Sequence, residues 1–450
     1  MPRTVTHSTT TADQPIPLGV LTAYGGLALP LAAGFIALQV IVPTFYAQAL
    51  GLSLTAVGSI LLVARLWDMV TDPVVGFLSD RTPTRFGRRK VWILASSPLI
   101  AISVWLLFNP GEQVSNIYLL LGAMAIYIAG TMAMVPYNAW GAELSSNYHQ
   151  RSRVAGSRVV FGLAGTMLAL LLIDNSSNAA LQSSLTAIGI LVMATLVVAV
   201  PAALHGVPDQ SEARPEGNDP KGAWRLLVTP SPFRRLLVAF LLNGVANAIP
   251  ATLFLLFVTH VLKAPALAGP VLFLYFMCSA ISVPVWVSVA RRFGKHRTWC
   301  TAVSAACVFF AGAPFLGAGD TAWYIAIVVG TGLMIGADLA LPSAINGDLI
   351  EWDAHENGQR RPGLFFALWG TASKLAFALA VGLVFPLLDS IGFDATTANS
   401  AEDIRALAIL YGGPSILFKL AAVAMMHNFP IDEAEHRRMR DSLAAAERAA

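Results

Sequence analysis

Apolar residues run in long, nearly unbroken stretches along this chain, and polar residues gather in short connections between them. Residues 20–50, 54–78, 91–109, 115–141, 154–174, 182–204, 235–260, 266–289, 299–317, 321–349, 364–389 and 401–427 form such stretches. Each holds close to the ~20 apolar residues that a helix needs to cross a hydrocarbon core. The pattern predicts an all-α membrane protein with about twelve transmembrane helices. Pro73, Pro136, Pro250, Pro284 and Pro342 fall inside predicted helices and are read as kinks, which membrane helices tolerate.

The connections alternate in charge. One set carries Arg81, Arg85, Arg88, Arg89 and Lys90, then Arg151 and Arg153, then Arg291, Arg292, Lys295 and Arg297, then Arg360 and Arg361. The opposite set carries Glu112, Asp174, Asp320, Asp389, Asp394, Glu402 and Asp403. Lys and Arg in short loops stay on the cytoplasmic side, so both termini are expected there. Residues 1–19 read as a polar tail without a signal-peptide pattern, and 429–450 as a polar cytoplasmic tail. The expected location is a bacterial cytoplasmic (inner) membrane, with the lipid bilayer as the surrounding partner.

Composition sharpens this picture. Of 450 residues 56% are hydrophobic and 12% charged, where soluble domains carry roughly 25% charged residues. The net charge of +3 reflects the basic loops and calls for no nucleic-acid partner. Cys278, Cys300 and Cys307 lie in apolar stretches without CxxC spacing, which argues against disulfides and metal sites. No nucleophile–base pair, metal motif or phosphate loop points to an enzyme, a cofactor or an obligate protein partner.

The stretch 206–233, rich in Pro, Gly, Asp and Glu, reads as a cytoplasmic linker between halves at 20–205 and 234–428. Each half repeats one loop. After the second helix comes Gly76-Phe77-Leu78-Ser79-Asp80-Arg81 and Arg85-Phe86-Gly87-Arg88-Arg89, echoed after the eighth by Arg291-Arg292-Phe293-Gly294-Lys295. Parallel repeats about an axis normal to the membrane produce such duplication. The loop resembles the signature of the major facilitator superfamily, which implies two pseudo-symmetric six-helix halves. Asp80, Arg81, Arg85, Arg88, Arg89, Arg291, Arg292, Asp348 and Glu351 are then candidates for a cytoplasmic gate, clamping the halves by charge-assisted hydrogen bonds.

Ionisable groups inside predicted spans are the most informative residues, because each costs at least ~2.5–3.5 kcal/mol at the bilayer centre. Asp68 and Asp72 stand four apart on one helix face. Two carboxylates that close repel, so the pair should hold a proton or recruit a cation, with Thr71 and Thr131 as further oxygen ligands for sodium. Helical rise places Asp68, Thr131, Asp338 and Lys374 at similar depths, and Asp72 and Arg158 shallower. The plainer expectation is that Asp68 pairs with Arg65 and Lys374 with Asp338, each only neutralising buried charge. Tyr24, Gln39, Asn138, Trp140, Asn243, Asn247, Asn346 and Trp369 are polar or aromatic candidates for a substrate path.

The run Arg65-Leu66-Trp67-Asp68 to Asp72-Pro73 and Gly76 resembles the glycoside-pentoside-hexuronide:cation symporters, the family of the melibiose permeases. Further matches are Pro136-Tyr137-Asn138-Ala139-Trp140, Asp348-Leu349-Ile350-Glu351-Trp352-Asp353 and Gly358 through Phe366 to Lys374. The resemblance implies a cation site of Asp68, Asp72, Thr71 and Thr131, taking H+ or Na+. It also implies that Lys374 couples that site to a sugar pocket near Arg158. Ala32 and Met134 stand where melibiose permeases carry sugar-binding aspartates, and Asn138 where they carry a stacking aromatic. The expectation is cation-coupled symport of a sugar, glycoside or related polar solute by alternating access. Its rivals are a lysophospholipid-like amphiphile as cargo, and a non-transporting membrane sensor.

Overall fold

The structure, a computed structural model, describes residues 16–208 and 231–430 except 83, 85, 112–113, 145–147, 358–361 and 397–398. Arg85, Glu112, Arg360, Arg361, most of the linker and most of both tails lie outside the described residues. Among the described residues, twelve helices are long and apolar enough to cross a membrane. They are α1 (Leu18–Gln48), α2 (Leu54–Asp80), α3 (Lys90–Phe108), α4 (Asn116–Gly141), α5 (Arg153–Leu171) and α6 (Asn178–Gly206), then α7 (Pro232–Val261), α8 (Pro265–Phe293), α9 (Lys295–Phe315), α10 (Thr321–Asp353), α11 (Leu364–Ser390) and α12 (Ala401–Met426). Several run past their predicted ends, α9 beginning four residues early and α10 continuing as helix to Asn357. Hydropathy marks where the bilayer stops, whereas backbone hydrogen bonding continues beyond it.

Short polar residues start the helices. The side chains of Ser53, Ser115, Ser177 and Ser231 each accept a hydrogen bond from the backbone N–H three residues on, which satisfies one orphan donor of the first turn. Ser400 and Asp403 cap α12 reciprocally. Gly294, at φ +85°, turns the chain between α8 and α9 where a side chain would be strained. Both α1 and α7 widen into a π-helical turn near one end, at Ala37–Ile41 and Phe257–Val261. Such turns gather at functional sites.

Packing separates two groups of six. Helix α2 packs on α4, and α1 on α5 and α6; in the second group α8 packs on α10, and α7 on α11 and α12. The groups meet through α1 on α7, α2 on α11 and α8 on α5. Moving each helix of the second contact by six positions, α2 to α8 and α11 to α5, gives the third, the relation expected of a two-fold repeat. The outer faces are apolar and bare, with Val197 74% and Val308 76% exposed. No water-soluble surface carries so much exposed hydrocarbon; the protein is an integral, multi-pass membrane protein.

The inter-group contacts crowd at the end that bears the acidic loops. Gln48 Nε2 lies 3.0 Å from His260 Nε2, Asn175 donates to Thr259 at 2.8 Å, and the Thr55 amide donates to Asp389 at 3.3 Å. Glycines let the backbones close there: a Cβ on Gly269 would lie 2.6 Å from the Ile173 carbonyl oxygen. Deep in α10, Asn346 is fully buried and its side-chain amide finds no hydrogen-bond partner among the described residues. A buried polar group left unsatisfied costs about 1–3 kcal/mol. Asn346→Leu is therefore expected to raise the melting temperature of the purified protein, and a lowered one would mean that the amide has a partner.

Candidate functional site

The α2 carboxylates lie at the meeting of the two groups. Asp68 is buried, while the Asp72 side chain keeps 29% exposure. Thr131 on α4 reaches between them, its Oγ1 2.7 Å from Asp68 Oδ1 and 2.9 Å from Asp72 Oδ1. Thr71 points its hydroxyl back along α2, donating to the Asp68 carbonyl at 2.9 Å. Lys374 comes from α11 in the other group, with Nζ 2.8 Å from Asp68 Oδ2 and 2.7 Å from Asp72. Arg65 adds a buried guanidinium 3.6 Å from Asp68, held over the rings of Tyr127 and Phe35. Two acidic side chains thus face two basic ones.

The expected Lys374–Asp338 pair does not form, because depth along a helix says nothing about rotation around it. Lys374 turns toward α2, and Asp338 turns into the second group. There Asp338 Oδ2 accepts from Asn243 at 2.9 Å and Asn247 at 3.0 Å, and Oδ1 accepts from the Trp299 indole. Lys419 of α12, absent from the sequence-based set, lies 3.8 Å from Asp338. The signal was available, since Lys419 is itself a charge within an apolar stretch.

Asp338, Lys419 and Asn247 form one end of a cavity of about 240 Å³ lined mostly by the second group. Its walls are otherwise hydrocarbon and aromatic, among them Phe254, Phe276 and Phe310, and at the other end Tyr324 and Tyr411 share a hydroxyl hydrogen bond of 2.8 Å. Ile36, Gln39 and Val40 of α1 complete the wall at the π-turn. Gln39 Nε2 is enclosed and has no hydrogen-bond partner among the described residues.

The remaining candidates divide. Arg158 is half-buried and donates to Asn138 Oδ1. Tyr24 is 1% exposed, exchanging hydroxyl-to-carbonyl hydrogen bonds with Tyr137 at 3.2 and 3.0 Å. Trp140 is fully buried with its indole N–H on the Pro208 carbonyl. Trp369 stacks on Phe240 at 3.7 Å. The rings of Tyr24 and Trp140 are enclosed by protein, and Phe240 covers one face of Trp369.

At the basic end the ion pairs seen among the described residues stay within one group each. Arg89 binds Asp80 at 2.6 Å and Glu143 at 2.8 Å, Arg88 binds Glu143 at 2.7 Å, and Lys295 binds Asp348 at 2.6 Å. Burial works against the Arg89 charge, but hydrogen bonding and attraction from Glu143 and then Asp80 outweigh it and raise the guanidinium above its ordinary value. Arg81 lies over the Phe77 ring, Arg291 and Arg292 are exposed at the end of α8, and Glu351 is half-buried on α10. Glu143, which sequence reasoning missed, is the acid that gathers the α2–α3 loop.

Among the described residues, twelve spanning helices in two matching groups, joined across a carboxylate pair of which Asp68 is buried, define a secondary transporter of the major facilitator superfamily rather than an enzyme. The chain belongs to the family described as MFS/sugar transport protein, whose profile matches residues 23–433. It is 26% identical over 427 residues to the human sodium-dependent lysophosphatidylcholine symporter 1, covering 86% of this chain and 78% of that protein. It is 24% identical over 420 residues to an uncharacterized symporter of Bacillus subtilis, covering 88% of each. The fold matches a crystal structure of a mutant of the nucleoside transporter NupG, with a TM-score of 0.69 at 12% identity, over 91% of this chain and 100% of that one.

Proposed function

We propose that this chain is a sodium-coupled symporter that carries a single-chain amphiphile by alternating access. The observation that supports it is the position of Lys374. Its ammonium occupies the space between Asp68 and Asp72 where a coupling cation would bind, and it reaches there from the opposite half of the molecule. Lys374 fills the space between the two side chains, so sodium enters only as it withdraws. Asp68, Asp72 and Thr131 then supply hard oxygen ligands, with Thr71 available if its hydroxyl turns. Withdrawal breaks the α2–α11 ion pairs and loosens the halves, which ties ion binding to the conformational change. Coupling of this kind is reciprocal and worth ~1–3 kcal/mol. The sodium dependence named for the lysophosphatidylcholine relatives favours sodium over a proton.

The cargo is inferred from the cavity. Hydrocarbon and aromatic walls with a few polar groups at one end suit an aliphatic chain with a polar head better than a hydroxyl-covered sugar. A polar sugar or glycoside is the second reading, favoured by the Arg158–Asn138 pair and by the description of the family. The alternation of basic loops supports a cytoplasmic side for the gate residues and both termini, and the proposed membrane is a bacterial inner membrane. The halves then correspond to 20–205 and 234–428, joined by the linker 206–233.

Purified protein in proteoliposomes provides the test. A sodium gradient is expected to drive uptake of a lysophospholipid or fatty-acyl amphiphile, and Asp72→Asn to cut the sodium-stimulated part at least ~10-fold. Sodium-driven accumulation of a glycoside instead would establish the second reading. Uptake indifferent to both sodium and Asp72→Asn would remove the coupling mechanism.

A further inference from the structure

The apolar cavity rests on a charged floor that the sodium mechanism leaves unused. Its two charges are unequally provided for. Asp338 receives three neutral donors, from Asn243, Asn247 and Trp299, which is most of what a carboxylate can accept. Lys419, only 6% exposed, lies 2.6 Å from Asn247 Oδ1 and 3.2 Å from Asn243 Oδ1. It meets Asp338 at 3.8 Å, the outer limit of an ion pair. The two asparagines stand between the charges, donating to the acid and accepting from the base. An ammonium carries three N–H donors, and the two short contacts engage two of them. Taking such a cation out of water is expensive unless an anion comes close. Here the built-in anion is held back by neutral amides, while Lys419 itself lines the cavity.

We infer that Lys419 anchors the anionic group of the transported amphiphile, a carboxylate or a phosphate, at the floor of this cavity. The inference deepens the amphiphile reading and rests on it. The aliphatic chain then lies along α10 toward Tyr324 and Tyr411. Asp338 and Tyr324 are separated by about 21 Å at 1.5 Å of rise per residue, so the cavity runs along the chain rather than around a compact solute. Gln39 Nε2, which has no hydrogen-bond partner among the described residues, adds an uncharged donor for an ester or hydroxyl oxygen. The Asn–Asp–Trp299 network serves to hold the ammonium in position. Because Asp338 cancels Lys419 at long range, the preference for an anion depends on direct contact.

The experiment compares ligands that share a twelve-carbon chain, bound to the full chain in lipid nanodiscs. The heads are dodecanoate, dodecyl phosphate, dodecylphosphocholine, dodecyl maltoside and dodecyltrimethylammonium. At least one of the first three is expected to bind ten-fold or more tightly than the maltoside; dodecanoate alone marks a carboxylate site, and the two phosphates mark a phosphate site. The neutral double variant Asp338→Asn/Lys419→Met removes both charges together and avoids stranding one. It should erase the head preference while keeping binding of the neutral ligand and of sodium. Lys419→Arg should retain the preference. Equal binding of all heads by the natural protein, or a preference that survives the double variant, would overturn the anchor and leave the symporter intact. Tightest binding of dodecyltrimethylammonium would assign the floor to Asp338 instead. Failure of every twelve-carbon ligand to bind, with sodium still bound, would overturn the amphiphile reading itself.

Discussion

Lys374→Met is expected to tighten sodium binding at least ~10-fold while abolishing sodium-driven uptake. Lys374 and sodium compete for the same oxygens, so removing the ammonium removes the competitor. Opposite charges about 4 Å apart are worth about 4 kcal/mol at an effective dielectric of 20. Recovering a third of that amounts to ~1.4 kcal/mol, a factor of ten in affinity. Arg65 remains beside Asp68 on the same helix, so one carboxylate is still offset and the variant is expected to fold. Uptake fails for a different reason: with no α11 group released when sodium binds, ion occupancy is no longer communicated between the halves. Sodium titration by calorimetry and gradient-driven uptake measure the two effects separately. Unchanged sodium affinity would show that Lys374 does not compete with the ion, and retained uptake that it is not the coupling element.

The same cluster explains how much of the site was legible beforehand. Charges in apolar stretches are expensive enough to be meaningful one at a time, so Asp68, Asp72 and Lys374 stand out in sequence and the structure brings them together. Their partners are a different matter. Asp338 and Lys374 share a depth but point to different neighbours, because a few residues of phase reverse the direction of a side chain on a helix. The second cluster gathers Asn243, Asn247, Trp299, Asp338 and Lys419 from four helices, and no spacing along the chain announces that meeting. Tyr24 and Trp140 were chosen by residue type, and type does not reveal that their faces are covered by protein. The cytoplasmic clamp was expected between halves from the family resemblance of the loop and its Asp beside several Arg. The ion pairs seen there bind each loop to its own half, through Glu143 in the first and Asp348 in the second. The elements themselves were far easier to see, since a hydrocarbon solvent demands long apolar helices with every backbone group satisfied internally.

Pairing of the halves at the acidic end yields the other large expected effect. Gly58 is the fifth residue of α2 and Gly269 the fifth of α8, equivalent places in the repeat. Each faces the other half: a Cβ on Gly58 would lie 2.9 Å from the Phe385 Cβ and the Val381 carbonyl oxygen, and one on Gly269 2.8 Å from the Leu170 carbonyl oxygen. Backbone atoms cannot step aside as a flexible side chain can, so Gly58→Leu/Gly269→Leu should prevent this end from closing. Alternating access needs each end to seal in turn, and uptake is expected to fall at least ~10-fold without loss of the folded protein. Accessibility distinguishes a blocked cycle from simple damage. With Cys278, Cys300 and Cys307 replaced by serine, a cysteine at position 48, buried beside His260, should react slowly with an impermeant maleimide. The two leucines should make it react quickly. Normal uptake with unchanged labelling would mean that these glycine contacts are not part of the working seal, whereas fast labelling with lost uptake places the gate of the acidic end at this pair of symmetry-related glycines.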